Sequence, residues 1–236
     1  AANIGDKYIK ITDKGDIKHM IKVMRLAEGD SVDVSDSMEW EYKTEIVSID
    51  ADEVLLAIVD KQKFAREPET RVTLFQGVPK AGKMETIIQK CVELGVTAIV
   101  PVAMSRSIVK LDGKDAAKKQ ARWQKIADEA AGQSGRGIRP AVETTISWKQ
   151  ALTRLSAENT LLCYEGGGAP IGTLVTPADT AVSLVVGPEG GFDPAEVEAV
   201  TAAGGRIATL GPRILRCETA PLAAIAVLME RSGNME

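Results

Sequence analysis

The chain has 236 residues, 44% of them hydrophobic, and a formal net charge of −4. That length suits one large domain or a small one joined to a medium one, and the acidic balance excludes a non-specific nucleic-acid coat protein. No apolar run approaches the roughly 18 residues of a membrane span, so no membrane partner is expected. The start at Ala1 without Met reads as a trimmed N-terminus, which leaves a first strand in doubt, and no signal-peptide pattern opens the chain. Three widely spaced cysteines (Cys91, Cys163, Cys217) and a single histidine, His19, have no metal-ligand spacing. No metal is expected, and a reduced, cytoplasmic setting fits best.

Short strands are predicted over residues 8–11, 31–34, 40–49 and 54–61, separated by turn-forming Glu28-Gly29-Asp30 and Asp50-Ala51-Asp52. Between the first two, His19 to Leu26 reads as a short amphipathic helix with Met20, Val23 and Met24 on one side. So many short strands with little helix predict a small β-barrel over residues 1–67. The polar stretch Lys63 to Glu69, interrupted by Pro68, reads as a linker to a second domain over residues 70–236.

After it the hydrophobic period changes. Strands are expected at 72–76, 97–102, 160–164, 182–186 and 207–210, and helices at 83–94, 123–131, 148–155, 194–203 and from Thr219 onward. Gly95 reads as the residue closing the first of these helices; Asp193-Pro194-Ala195-Glu196 reads as a cap, an initial proline and a capping glutamate. Strands alternating with helices predict an α/β domain, a parallel sheet covered on both faces, with ligands bound beyond the carboxyl ends of its strands. Charge is uneven along the chain: residues 1–68 carry 15 acids and 10 bases, the remainder 18 and 19. Arg106, Lys110, Lys114, Lys118, Lys119, Arg122 and Lys125 follow one another, then Arg136 and Arg139. Such density either binds phosphate or forms a solvated helix face.

Three strand ends carry unusual loops: Tyr164-Glu165-Gly166-Gly167-Gly168, Gly187-Pro188-Glu189-Gly190-Gly191, and Leu210-Gly211-Pro212-Arg213-Ile214-Leu215-Arg216-Cys217-Glu218-Thr219-Ala220. The last is a stiff turn that brings two guanidinium groups and a carboxylate to a helix start, where Thr219 is the expected N-cap. Gly77-Val78-Pro79-Lys80-Ala81-Gly82-Lys83-Met84 imitates a phosphate-binding loop, but Met84 stands where a Mg²⁺-ligating hydroxyl belongs, and no later strand ends in the matching Asp. An NTPase is therefore not expected.

The last two of the three strand-end loops, with Lys83-Met84-Glu85, Gln89 to Gly95, Arg106-Ser107, Arg122 to Ala127 and Gln133 to Arg136, closely resemble the RsmE family. His19 with Val23 to Leu26 and Gly29-Asp30 resembles that family's N-terminal module, so the likeness spans nearly the whole chain. Its members are SPOUT-class methyltransferases acting on the N3 atom of a uridine in 16S ribosomal RNA of the small ribosomal subunit. The resemblance implies a PUA-like β-barrel followed by an α/β domain with a trefoil knot, a homodimer, and S-adenosylmethionine as cofactor. It implies cofactor contacts from Tyr164, Glu165, Gly187, Pro188, Glu189, Gly190, Leu210, Gly211, Ile214, Leu215, Cys217, Thr219 and Ala220. Cys217 departs from the family's usual threonine.

The imide at the uridine N3 atom is largely protonated at neutral pH, so the reaction needs a base or nearby positive charge. Arg216 and Arg213 are the candidates for stabilising the uridine anion. Glu218 is the candidate either to orient Arg216 or to accept the proton, and Glu189 either to orient ligand or to hold loop amides. Arg25, Arg106, Arg122 and Arg136 are the candidates for RNA phosphate, Arg136 in its own site or across a dimer. A non-catalytic ribosome assembly factor of the same fold is the alternative function.

Overall fold

The computed structural model describes residues 2–107, 113–156 and 159–235, apart from the side chains of residues 2, 113 and 114. Lys110 and the side chain of Lys114, both in the basic run, lie outside the described residues. The chain forms two compact units, Ala1–Glu67 with Gly135–Ile138, and Pro68–Ser134 with Arg139–Glu236.

In the first unit, β1 (Ala2–Ile4), β2 (Tyr8–Ile11), β3 (Ser31–Ser35), β4 (Trp40–Ile49) and β5 (Val54–Lys63) form an antiparallel sheet in the order β1-β2-β5-β4-β3. Alternation sets its inner face, and Ile9, Ile11, Tyr42, Ile46, Val54 and Leu56 close a core with Ile17 and Met20. The helix expected at His19 begins earlier, as α1 (Lys14–Lys18), because the Asp13 carboxylate accepts hydrogen bonds from the N–H groups of Gly15 and Asp16. It continues as a π-helical turn over His19–Val23, whose wider turn changes the buried face. Met20 is buried as expected, but Val23 and Met24 are 66% and 54% exposed.

The polar residues expected as a linker are partly structural. Lys63 ends β5, and Glu67 anchors residues 135–138 to the first unit. Its carboxylate accepts from Arg136 Nη2 at 2.7 Å and from the Ile138 N–H at 3.0 Å. Phe64 fills the space beside Gly137 that any Cβ would need. Sequence distance hides this segment: it follows a long helix of the other unit and has no strand or helix pattern of its own.

In the second unit a sheet runs β11-β13-β10-β12-β6-β7-β8, with β9 also on β7, and its strand pairs are parallel. Its long members are β6 (Arg71–Gly77), β7 (Ala98–Ala103), β10 (Thr160–Cys163), β12 (Ala181–Val186) and β13 (Arg206–Thr209). The pairs β8 (Ala141–Val142), β9 (Ile146–Ser147) and β11 (Ala169–Pro170) are too short to leave a periodic signal. Side chains alternate between two cores. On one face Leu74, Ile99, Leu161 and Leu184 meet α2 (Lys83–Glu93), α3 (Gly113–Gln133) and α6 (Ala220–Arg231). On the other, Phe75, Val100, Leu162 and Val185 meet α4 (Trp148–Leu155) and α5 (Pro194–Ala202). This is the α/β class expected, buried on both faces.

Two helix starts differ. Asp193 and Glu196 form the expected capping box on α5, and Glu196 also accepts from the Ser105 N–H at 3.0 Å. Thr219, expected to cap α6, has helical φ/ψ and makes no side-chain cap hydrogen bond. A turn replaces the cap, with the Arg216 carbonyl accepting from the N–H groups of Thr219 and Ala220.

The Arg136–Glu67 side chains are only 4% and 12% exposed, so truncating one strands the other charge away from water. Arg136→Ala should cost about 3–5 kcal/mol of stability in chemical denaturation of the full chain. A loss below about 1 kcal/mol, the range of an exposed pair, would show that this pair does not anchor the segment.

Candidate active site

Because the strands β10, β12 and β13 are parallel, their carboxyl ends leave the sheet on one edge, and the loops after them line one cavity of about 850 Å³. Of the residues expected to hold the cofactor, all but Thr219 line it. Cys163, Gly166, Gly167, Val186, Gly191, Phe192, Thr209, Pro212 and Lys83 line it too. So do Arg213 and Arg216, both exposed, and neither is in an ion pair among the described residues.

Backbone shape makes the cradle. Gly211 has φ +100° and nothing within 4 Å of where a Cβ would stand, so the turn presents bare backbone. Gly191 has φ +67°, and a Cβ there would lie 2.4 Å from Glu165 Oε1. The β12 loop is held from below by Gln76, fully buried at the end of β6, whose amide nitrogen donates to the Gly187 carbonyl at 3.3 Å and the Gly77 carbonyl at 3.1 Å. It is held from the side by Arg106, whose Nη1 donates to the Gly190 carbonyl at 3.0 Å.

The residue that sequence reasoning missed is Lys83. Its ammonium lies 3.1 Å from Glu189 Oε1 and 3.2 Å from Glu218 Oε2, with Cys217 Sγ at 4.0 Å. The two carboxylate hydrogen bonds hold its pKa above the ordinary lysine value, against the opposing effect of burial. Partial burial would raise Glu189, but bonds from its own N–H, the Lys83 ammonium and the Lys80 N–H hold it below the usual carboxylate range. Glu218 is also held low, by the Cys217 thiol and, despite slight burial, by its own N–H and the Lys83 ammonium. Burial, and the carboxylate of Glu218 that accepts its S–H at 3.2 Å, push Cys217 up to about 12. It remains a protonated thiol.

These placements change some expected roles. Glu218 faces Lys83 and Cys217; Arg216 is not its partner. Glu189 does hold a loop amide, that of Lys80, besides the Lys83 ammonium. Arg122 pairs with Glu85 at 2.8 Å on an exposed surface, Arg136 is engaged by Glu67, and Arg25 is exposed with φ +57°. The signal for Lys83 was in the phosphate-loop imitation, which put a lysine between β6 and α2 on the edge where the three loops end.

The cavity can surround a nucleoside-sized ligand with backbone, present carboxylates at Glu165 and Glu189, and leave two guanidinium groups open to an anion beside it. The family model for an RNA methyltransferase domain matches residues 66–229, and that for an RNA methyltransferase PUA domain matches residues 11–59. The chain is 39% identical to ribosomal RNA small subunit methyltransferase E of Bacillus subtilis, over 90% of this chain and 86% of the relative. A crystal structure of the Neisseria gonorrhoeae protein of that name, bound to S-adenosyl methionine, superposes with TM-score 0.87 at 33% identity, covering 97% and 94% of the two chains. A putative methyltransferase from Legionella pneumophila, in complex with the same cofactor, gives TM-score 0.81 at 28% identity over 94% and 91%. On the long sequence match and the shared architecture together, the chain belongs to the ribosomal RNA small subunit methyltransferase E family.

Proposed function

We infer that this protein is an S-adenosylmethionine-dependent methyltransferase that modifies the N3 atom of a uridine in 16S ribosomal RNA of the small subunit. The observation that carries the reading is the cavity built by three strand-end loops with two uncommitted arginines on its lining. The residues fit the cofactor: bare backbone at Gly211 and the β12 loop admits a flat base closely, and the carboxylates of Glu165 and Glu189 suit ribose hydroxyls or a cationic group. When bound, the cofactor supplies the methyl group as a sulfonium electrophile, so methylation requires no metal.

The protein's own task is to make the imide nitrogen nucleophilic. A carboxylate held low, as Glu218 and Glu189 are, is a weak base toward an imide. Positive charge placed beside the ring favours the anion instead, and Arg216 and Arg213 are free to provide it. The imide proton then leaves to solvent, and each guanidinium also has the fork geometry to hold an adjacent phosphate. Arg25, Arg106 and Arg122, all exposed, are the proposed RNA phosphate ligands. Arg136 is a weaker candidate because Glu67 already engages it. The protein is proposed to act in the cytoplasm as a homodimer; Ile214, 83% exposed beside the cavity, is an apolar side chain that a partner subunit would cover. A non-catalytic assembly factor would have no use for a cofactor cradle flanked by unpaired arginines.

Isothermal titration should detect S-adenosylmethionine binding to the wild-type chain, and Gly211→Val, which forces a branched side chain onto a positive φ, should abolish it. Undiminished binding to Gly211→Val would remove this turn from the cofactor site. Arg216→Ala should keep cofactor affinity within about threefold while methylation falls about 100-fold or more. Normal methylation by Arg216→Ala would exclude anion stabilisation by that residue. Assembled small subunits should be far better substrates than a uridine mononucleotide, since phosphate contacts away from the reacting base supply much of the binding. Equal turnover of the two would contradict the RNA assignment.

A further inference from the structure

Among the described residues Lys83 is the one lysine lining the cavity, and its ammonium has several partners. It starts α2, while its two acceptors come from different loops: Glu189 from the loop after β12, and Glu218 from the loop after β13 that carries Arg213 and Arg216. The loop after β13 has few other ties. Leu210 to Arg216 contains a positive-φ glycine and a proline and includes neither strand nor helix. Its internal hydrogen bonds are local, between Thr209 and Gly211 and from the Thr219 and Ala220 N–H groups to the Arg216 carbonyl. Downstream of the arginines, the side-chain ties to another element among the described residues are the Cys217 sulfur, 4.0 Å from the Lys83 ammonium, and the Glu218 carboxylate on the same ammonium at 3.2 Å.

We propose that Lys83 is a positioning residue: its ammonium clips the loop bearing Arg213 and Arg216 to the loop after β12, and so fixes the two guanidinium groups at the cavity. This rests on the reading of the cavity as a cofactor site. The chemistry favours a clip over a phosphate ligand. Besides the Cys217 sulfur, the hydrogen-bond acceptors of Lys83 are two carboxylates, so a phosphate bound at the ammonium would be repelled by two negative charges. One cation shared by two anions leaves a net negative charge beside the cavity, which repels no cationic cofactor, and neither carboxylate is in an ion pair with Arg213 or Arg216 among the described residues. Lysine suits the task because a compact ammonium with three donors can serve acceptors in different directions.

The clip also has a defined pH dependence. Glu189 and Glu218 have folded pKa values below their ordinary ones, so its contribution is fully present above the ordinary carboxylate pKa of about 4.3 and is lost as pH falls through the depressed values. Lys83 is raised, so the alkaline limb lies above the ordinary lysine range. The other charged residues lining the cavity are Arg213 and Arg216 on the loop that carries Glu218, and Glu165 on the loop after β10. Burial and the Glu218 carboxylate push the Cys217 thiol up to about 12, so it stays protonated throughout the acidic limb.

The experiment compares full-length wild type, Lys83→Gln, Lys83→Arg and Glu218→Gln. Amide hydrogen exchange over residues 211–219, without cofactor, should accelerate about tenfold or more in Lys83→Gln and Glu218→Gln while β6 and β12 are unchanged; Lys83→Arg should restore slow exchange. Affinity for S-adenosylmethionine should fall about tenfold in Lys83→Gln and recover in Lys83→Arg, and the affinity of wild type should decline below about pH 4.3. Unchanged exchange in Lys83→Gln refutes the clip. If Lys83→Gln does not fold, unchanged exchange in Glu218→Gln refutes it equally. Failure of wild type to bind S-adenosylmethionine would refute the cofactor reading instead, while the exchange comparison still decides the clip.

Discussion

Everything in the site depends on a constraint of the sheet: parallel strands send their carboxyl ends out on one edge. With β10 between β12 and β13, the loops after all three start on that edge, and residues of each line the cavity. Burial of both sheet faces makes this edge a fixed platform, because the strands cannot slip by one residue without exchanging their two cores. The site thus inherits its rigidity from Leu74, Leu161 and Leu184 on one side and Phe75, Leu162 and Val185 on the other, none of which touches a ligand. Rigid strands place flexible turns; the turns then need only local ties.

Those ties divide the charges of the site into two groups. Lys83, Glu189, Glu218 and the Cys217 thiol satisfy one another, and the shifts of their pKa values express that satisfaction. Arg213 and Arg216 have no such partners among the described residues, so their positive charge remains available. A carboxylate already shared with an ammonium is poorly suited to take a proton from an imide. Two unneutralised guanidinium groups are well suited to stabilise the anion that remains. The division therefore favours electrostatic activation over a dedicated general base.

Much of this was legible in the sequence, and for identifiable reasons. The strands of the second unit are apolar runs with β-branched residues, and its helix starts carry strong local chemistry, as Asp193-Pro194-Ala195-Glu196 does. The glycine loops marked where bare backbone lines the cavity. What stayed hidden depends on partners distant in sequence. Glu67 and Arg136 look like surface charges until 135–138 is seen to fold with the first unit. Thr219 has the composition of an N-cap, but the preceding turn holds it in helical geometry, so its hydroxyl is not used. The π-helical turn at His19–Val23 breaks the 3.6-residue period from which the face of Val23 and Met24 was inferred.

Cys217 illustrates how far side-chain chemistry alone can be carried. Against the threonine usual in the resembling family, a thiol is similar in size but a weaker donor. In an exposed position the exchange would matter little, and in a reactive one it would create a nucleophile. Here the residue is buried, its sulfur faces a carboxylate, and its pKa is pushed up to about 12. The same negative charge that makes the thiolate unfavourable keeps the S–H donating to Glu218, in the direction a hydroxyl would donate. The weaker bond leaves more of the task of holding Glu218 to the ammonium of Lys83. A substitution in the cradle and the lysine at the start of α2 are thus parts of one arrangement, joined through a single carboxylate.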